Sequence, residues 1–373
     1  MPQKPLHIIS FDNPYPPVYG GAIDVFYKIK ALHAAGYKIF LHCFVDDEIA
    51  DYSVLNQFVN ELYVYKRTYK SLKWFSLTPL PVLSRFHKDL ISNIKKNDAP
   101  LLFEGLQTTY ILNKHAFKDR KIYLRLHNLE ADYFSGLSKS ETSFIKKILY
   151  RLESAKYGTY QKIMSRFETV FTLSKYETEF VNKHFKNAQY VPVFHGNEQV
   201  AALSGFGKYA FYHGDLRMSD NKKAALFLIE VFKKIPDYSL IIASNKGKKL
   251  IESQIKEIQN ITFSNIKNDA HLDELLANSH MSVMLSFQQS GTKLKAVNSL
   301  YKSRFCIINK NMIDDENIRN LCTVAETETD FIAAVNALKN QPYQDFENRK
   351  TVLRQVLNDE TNALKIKEII DKD

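Results

Sequence analysis

Apolar residues fall in short, nearly unbroken runs along this chain, and longer amphipathic stretches separate them. In the first half the runs are LHIISF, KIFLHCF, ELYVYKR, PLLFEG, KIYLRLHN, TVFTLS and QYVPV. They are rich in Val, Ile, Phe and Tyr and lack strict alternation, which predicts parallel strands buried on both faces. Helix-period stretches lie between several of them, at residues 22–35, 82–96, 142–165 and 175–184. The pattern breaks at residues 192–208, PVFHGNEQVAALSGFGK, where mixed polarity and three glycines predict a linker. A second alternation follows: YAFYHG, a helix from about residue 221, YSLIIAS, a helix, ITFSNI, a helix, MSVMLSF, a helix and FCIINK. Residues 343–373 hold no strand run. They read as amphipathic helix, with Phe346, Val352, Leu353, Val356, Leu364, Ile366 and Ile370 as the apolar positions. The expectation is an α/β chain of two doubly wound domains, residues 1–200 and 201–342, closed by terminal helices. Ligands of such sheets bind outside the carboxyl ends of the strands, so a cleft between those edges is the expected site.

Length agrees, since 373 residues suit two cores better than one. A net charge of +10 asks for an explanation: nucleic acid, anionic lipid, a phosphorylated ligand, or simply a solvated basic surface. No zinc-finger, RNP-like or helix-turn-helix signature occurs, so nucleic acid is not an expected partner. Cys43 and Cys306 lie in apolar runs, and with Cys322 they form no CxxC spacing, so neither a zinc site nor a redox pair is expected. MPQKPLHIIS lacks the apolar stretch of a signal peptide, and no run approaches a membrane span; a reducing cytoplasm is the expected location.

Candidate chemistry concentrates at residues 286–310, SFQQSGTKLKAVNSLYKSRFCIINK. A strand run ends in a turn with one glycine, Gly291, and a helix-like segment opens with Lys293 and Lys295. Helix N-termini attract anions, so two cations at such a start predict a phosphorylated ligand. Residues two apart do not share a helix face, and Lys295 is the preferred ligand contact. A second glycine turn, Gly20-Gly21 in PPVYGGAIDVF, opens the first helix and permits close approach of backbone to ligand; taken by itself, an ordinary tight turn is the favoured explanation. In RLHNLEADYF a strand ends in Arg125, His127, Asn128 and Glu130, and His127 can move a proton or bind a sugar hydroxyl. In YHGDLRMSDNKKA a strand ends in Gly214, Arg217 lies in the turn where a guanidinium can grip phosphate, and Ser219 or Asp220 can cap the next helix. Two segments concern surfaces. Residues 66–88 mix cations with Trp74, Phe75, Leu77 and Leu80, as a loop touching a membrane or lipid acceptor would. Residues 144–167 form a basic, aromatic helix read as packed on the sheet. The acidic Asp46–Asp47–Glu48 reads as a solvated loop, and no histidine–carboxylate set has metal-ligand spacing, so no metal is expected.

In order and spacing, PPVYGG with LHAAGYKIFLHCF, RLHNLEADYF, TLSKYE, YHGDL and SGTKLKAVNSLYKSRFCIIN resemble GT-B glycosyltransferases, above all the retaining family 4 that uses nucleotide sugars. The resemblance runs over nearly the whole length. It implies two Rossmann-like domains facing across a cleft, an acceptor domain first and a nucleotide-sugar domain second, with residues 343–373 crossing back onto the first. It implies a metal-independent, hexosyl-type transferase of bacterial polysaccharide synthesis, with no cofactor beyond the nucleotide sugar as substrate. His127 would contact the transferred sugar. Gly20, Gly21, Gly214, Arg217, Gly291, Lys293, Lys295 and Asn298 would serve the donor. Arg125, Asn128, Glu130 and Glu104 would serve a saccharide or lipid-linked acceptor; the expectation of peripheral contact at the inner membrane rests on the basic aromatic loop at residues 66–88. The chain departs from the family where two glutamates eight apart are usual: Ser290 and Asn298 stand there. Asp215, not arginine, follows Gly214. Asn298 retains the capacity to hydrogen-bond ribose hydroxyls. Two alternatives follow: a nucleotide-sugar epimerase on the same fold, with Glu104 and Glu130 as acid and base, and a non-catalytic saccharide-binding homologue.

Overall fold

A computed structural model describes residues 3–47, 51–68, 76–115, 117, 119–141, 143–289, 291 and 293–372. The chain divides into two units, residues 1–196 with 357–373, and residues 197–356.

The first unit holds seven parallel strands: β1 (Lys4–Ser10), β2 (Tyr37–Val45), β3 (Glu61–Lys66), β4 (Leu101–Glu104), β5 (Ile122–Leu126), β6 (Thr169–Thr172) and β7 (Ala188–Tyr190). Their order is β3-β2-β1-β4-β5-β6-β7, which reverses direction of winding between β1 and β4. Ile8 pairs with Leu41 on one side and Leu102 on the other, and all three are fully buried. Such central residues have no solvent face, which is why their runs show no alternation.

The second unit repeats the plan with β8 (Ala210–His213), β9 (Leu240–Ser244), β10 (Ile261–Asn265), β11 (Met281–Met284), β12 (Phe305–Ile308) and β13 (Thr323–Val324). Its order, β10-β9-β8-β11-β12-β13, reverses between β8 and β11. Both sheets therefore have a switch point, the place where open α/β sheets take ligands.

The helices packed around the sheets include α1 (Gly20–Ala34), α2 (Glu130–Ser140), α3 (Phe144–Tyr160), α4 (Ser219–Lys233), α5 (Leu294–Lys302), α6 (Phe346–Val356) and α7 (Asp359–Lys372). The terminal helices divide between the units. The buried Arg349 of α6 donates to the Ser303 carbonyl at 2.6 Å, within the second unit. In α7, Ala363, Ile366 and Ile370 join Val25, Ile29 and Leu32 of α1 in one core. Asp359 accepts from the backbone N–H of Gly196 at 2.8 Å, so the two chain passages at 196 and 357–359 are fastened together. The sequence reading sets boundaries at 200 and 342; the units meet at 196–197 and 356–357.

Candidate functional site

Charged side chains crowd the switch point of the first unit. Asp24 and Lys28 lie four apart on α1, hence on one face. β4 ends on Glu104, β5 carries Arg125, and His127 follows β5; all five are buried. The Lys28 ammonium bridges Asp24 Oδ2 at 3.0 Å and Glu104 Oε2 at 2.8 Å. Arg125 donates from Nη2 and Nε to the Asp24 carboxylate at 2.7 and 3.1 Å. It also donates to the carbonyls of Val191 at 2.6 Å and Pro192 at 2.9 Å. His127 Nε2 meets Glu104 Oε2 at 2.9 Å. Burial alone would raise the Asp24 carboxyl, but Arg125 and Lys28 hold it well below the ordinary carboxylate range. Asp24, Glu104 and His127 offer donor atoms within 4.8 Å of one another, as a metal site would. The Lys28 ammonium already fills the cation's place between the two carboxylates.

This packing corrects part of the sequence reading. Arg125 has spent Nε, Nη1 and Nη2 on buried protein acceptors, so it presents no donor edge to an acceptor substrate. Glu104 commits Oε2 to Lys28 and His127, although Oε1 has no hydrogen-bond partner among the described residues. Glu130 is buried in the first turn of α2 and accepts from Gln107 Nε2 at 2.7 Å. Burial pushes its carboxyl up to about 7. Asn128 is half-buried beside it. Gly20 opens α1 at the surface. Gly21 has a packing reason of its own: a Cβ there would lie 2.7 Å from the Phe11 ring. That ring in turn meets His127 edge-on, with centroids 5.0 Å apart.

The switch point of the second unit is built differently. Asp220, in the first turn of α4, accepts from the Phe287 N–H at 2.9 Å and the Ser286 hydroxyl at 3.0 Å. It thus ties the turn after β8 to the turn after β11. The cap expected from Ser219 or Asp220 is not made: Met218 precedes α4 and contributes no side-chain cap. Gly291 has φ +77°, the left-handed region that favours glycine, just before α5 begins. Lys295, in the first turn of α5, donates to Asn221 Oδ1 at 3.0 Å. A Cβ on Gly214 would lie 3.1 Å from Asn221 Cγ, so Gly214, Asn221 and Lys295 are contiguous. Burial lowers the Lys295 ammonium to about 8; Asp220 opposes the shift and Lys293 adds to it. His213 is buried nearby, with Nε2 unpartnered among the described residues. Burial first, and Lys295 second, lower it to about 3.

The remaining donor candidates are less central. Lys293 turns back to the Gly291 carbonyl at 2.9 Å. Asn298, one turn beyond Lys295, accepts from Asn197 Nδ2 at 3.0 Å. Arg217 does not join them. Its side chain is 68% exposed and pairs with Asp215 of its own turn at 2.6 Å. Ser290 lies outside the described residues. The sequence reading misses Asp24 and Lys28, whose signal is a charged pair inside the apolar stripe of α1. It also misses Asn221 and His213, for which no pattern gives notice.

No family model matches the chain. An uncharacterised 44.6 kDa protein in the cps region of Klebsiella pneumoniae is 25% identical over 324 residues, covering 80% of this chain and 81% of that protein. Among solved structures, sucrose-phosphate synthase from Thermosynechococcus elongatus superposes with a TM-score of 0.68 at 13% identity, covering 99% of both chains. HepE of Anabaena, in complex with UDP and glucose, gives 0.65 at 12% identity over 100% of both. The fold is that of the GT-B glycosyltransferases, with two parallel-sheet, Rossmann-like units in succession.

Proposed function

We propose that the chain moves a sugar of hexosyl type from a nucleotide-sugar donor to a saccharide or lipid-linked saccharide acceptor, without a metal and with retention at the anomeric carbon. The observation that carries the reading is Lys295. It is a half-buried ammonium in the first turn of α5, beside a left-handed glycine, at the switch point of the second sheet. A diphosphate is the ligand that relieves a desolvated cation at a helix N-terminus. The same charge stabilises the diphosphate as it leaves with the glycosidic electrons. Positive charge fixed in advance where negative charge develops commonly supplies the greater part of the rate enhancement in such reactions. Asn298 would hold a ribose hydroxyl. In the first unit, Glu104 fixes the His127 ring through Nε2, so Nδ1 is the nitrogen for a hydroxyl of the transferred sugar. The solved HepE complex with UDP and glucose supports UDP-sugars as the first donors to try. The epimerase alternative is not favoured, because its carboxylates, Glu104 and Glu130, are buried and hydrogen-bonded within the protein.

Calorimetric titration of UDP tests this. Lys295→Ala should weaken binding at least about tenfold, the scale of one charge-assisted contact to phosphate. Equal affinity of variant and parent would remove the phosphate role of Lys295 and with it the reading.

A further inference from the structure

Helix α3 exposes large apolar side chains in succession. Phe144 is 75% exposed, Ile145 70%, Ile148 41% and Leu152 54%. At 3.6 residues per turn these four fall within an arc of about 100°, and the exposed Ala155 and Thr159 continue it. The stripe is not a misplaced core face. The opposite side of α3 already supplies Glu153 and Tyr157 to the interior, where Tyr157 stacks on Phe134 of α2 at 5.5 Å. Scattered exposed apolar residues need no explanation, but a contiguous stripe on one helix does.

The surroundings identify what covers it. Between residues 143 and 166 the chain carries Lys146, Lys147, Arg151, Lys156, Lys162 and Arg166 against one acid, Glu153. That acid is turned inward, holding the Leu80 N–H at 2.9 Å and the Lys156 ammonium at 2.8 Å. Lys146 and Arg151 are exposed, and Lys147 is half-exposed. Leu77, 90% exposed, lines a surface recess with Thr159, Tyr160, Lys162 and Arg166, and so extends the apolar and basic face past the end of α3. A second copy of the chain docked on this stripe would oppose cations with like cations. An anionic lipid surface instead takes the apolar side chains among its acyl chains and the cations among its headgroups. No helix among the described residues is long and apolar enough to cross a membrane.

We propose that α3 docks the protein peripherally on an anionic bilayer, lying in the plane of the interface with Phe144, Ile145, Ile148 and Leu152 inserted. The proposal is independent of the nucleotide reading, since it uses none of the same residues. Sedimentation of the full chain with phosphatidylglycerol-containing vesicles, and with pure phosphatidylcholine vesicles, tests it. Binding is expected to the anionic vesicles and to weaken steeply as salt is raised. Lys147→Glu with Arg151→Glu, the cations that flank the stripe, should reduce partitioning by about fivefold or more per residue. Ile145→Asp with Leu152→Asp should reduce it at least about tenfold. All four side chains lie outside the core, and an unchanged melting temperature verifies folding. Failure to bind anionic vesicles overturns the proposal, as does binding that ignores the Asp variants. A parent that is dimeric by light scattering, with an Asp variant that is monomeric, assigns the stripe to a second copy and overturns it too.

Discussion

The two switch points share topology but treat a lysine in opposite ways. In the first unit Lys28 contacts two carboxylates, and Arg125 shares one of them, so charge is balanced inside the protein. In the second, the hydrogen bond of Lys295 goes to the neutral amide of Asn221. The carboxylate whose charge acts on it, Asp220, is engaged with Phe287 and Ser286. The first lysine is consumed by the fold, and the second, whose hydrogen bond goes to a neutral amide, is the one proposed to hold a diphosphate. A cation at a sheet's switch point is therefore informative only once its counter-charges are known.

The sharpest way to break this contrast is to remove each ammonium while keeping its stem. Lys28→Met leaves two buried carboxylates facing each other and should cost about 3–5 kcal/mol in denaturant unfolding. Lys295→Met, which removes an ammonium that burial already disfavours, should stay within about 1 kcal/mol of the parent. Similar losses in the two variants would erase the distinction. A smaller effect should appear in the pH dependence of UDP binding. The free-protein ammonium at about 8 is charged below that pH and lost above it, so affinity should fall by at most about tenfold per pH unit above 8. The Lys295→Met profile should stay flat there; a flat parent profile would show that this proton is not linked to binding. The smallest effect is expected at Arg217, exposed and already paired with Asp215. Arg217→Ala should change UDP affinity by less than about threefold, and a loss matching that of Lys295→Ala would show that the pair opens to grip the ligand.

Much of the fold is legible in the chain because strands buried on both faces leave continuous apolar runs. The exceptions have local causes. β13 has only two residues and no run to find. The helix expected at 82–96 is two helices, because His87 interrupts it and accepts from the Asp89 N–H to start the second. α2 goes unseen because Glu130, in its first turn, is read together with Arg125, His127 and Asn128 as a polar cluster at a strand end. Lys295 is legible because a glycine turn and a helix start adjoin it in sequence. The charge knot of the first unit is not, because Lys28 and Glu104 lie 76 residues apart, and Asp24 and Arg125 lie 101 apart. Only the fold brings α1 against the ends of β4 and β5, and no periodicity encodes that pairing.

The closing helix α7 sets an order on synthesis. Ala363, Ile366 and Ile370 complete the core begun by Val25, Ile29 and Leu32, yet the ribosome makes all of residues 197–356 before them. At about 5–20 residues per second, the first unit waits roughly ten seconds or more for its last wall. During that interval the outer side of α1 stays wet, and the emerging polypeptide is most open to chaperones and proteases.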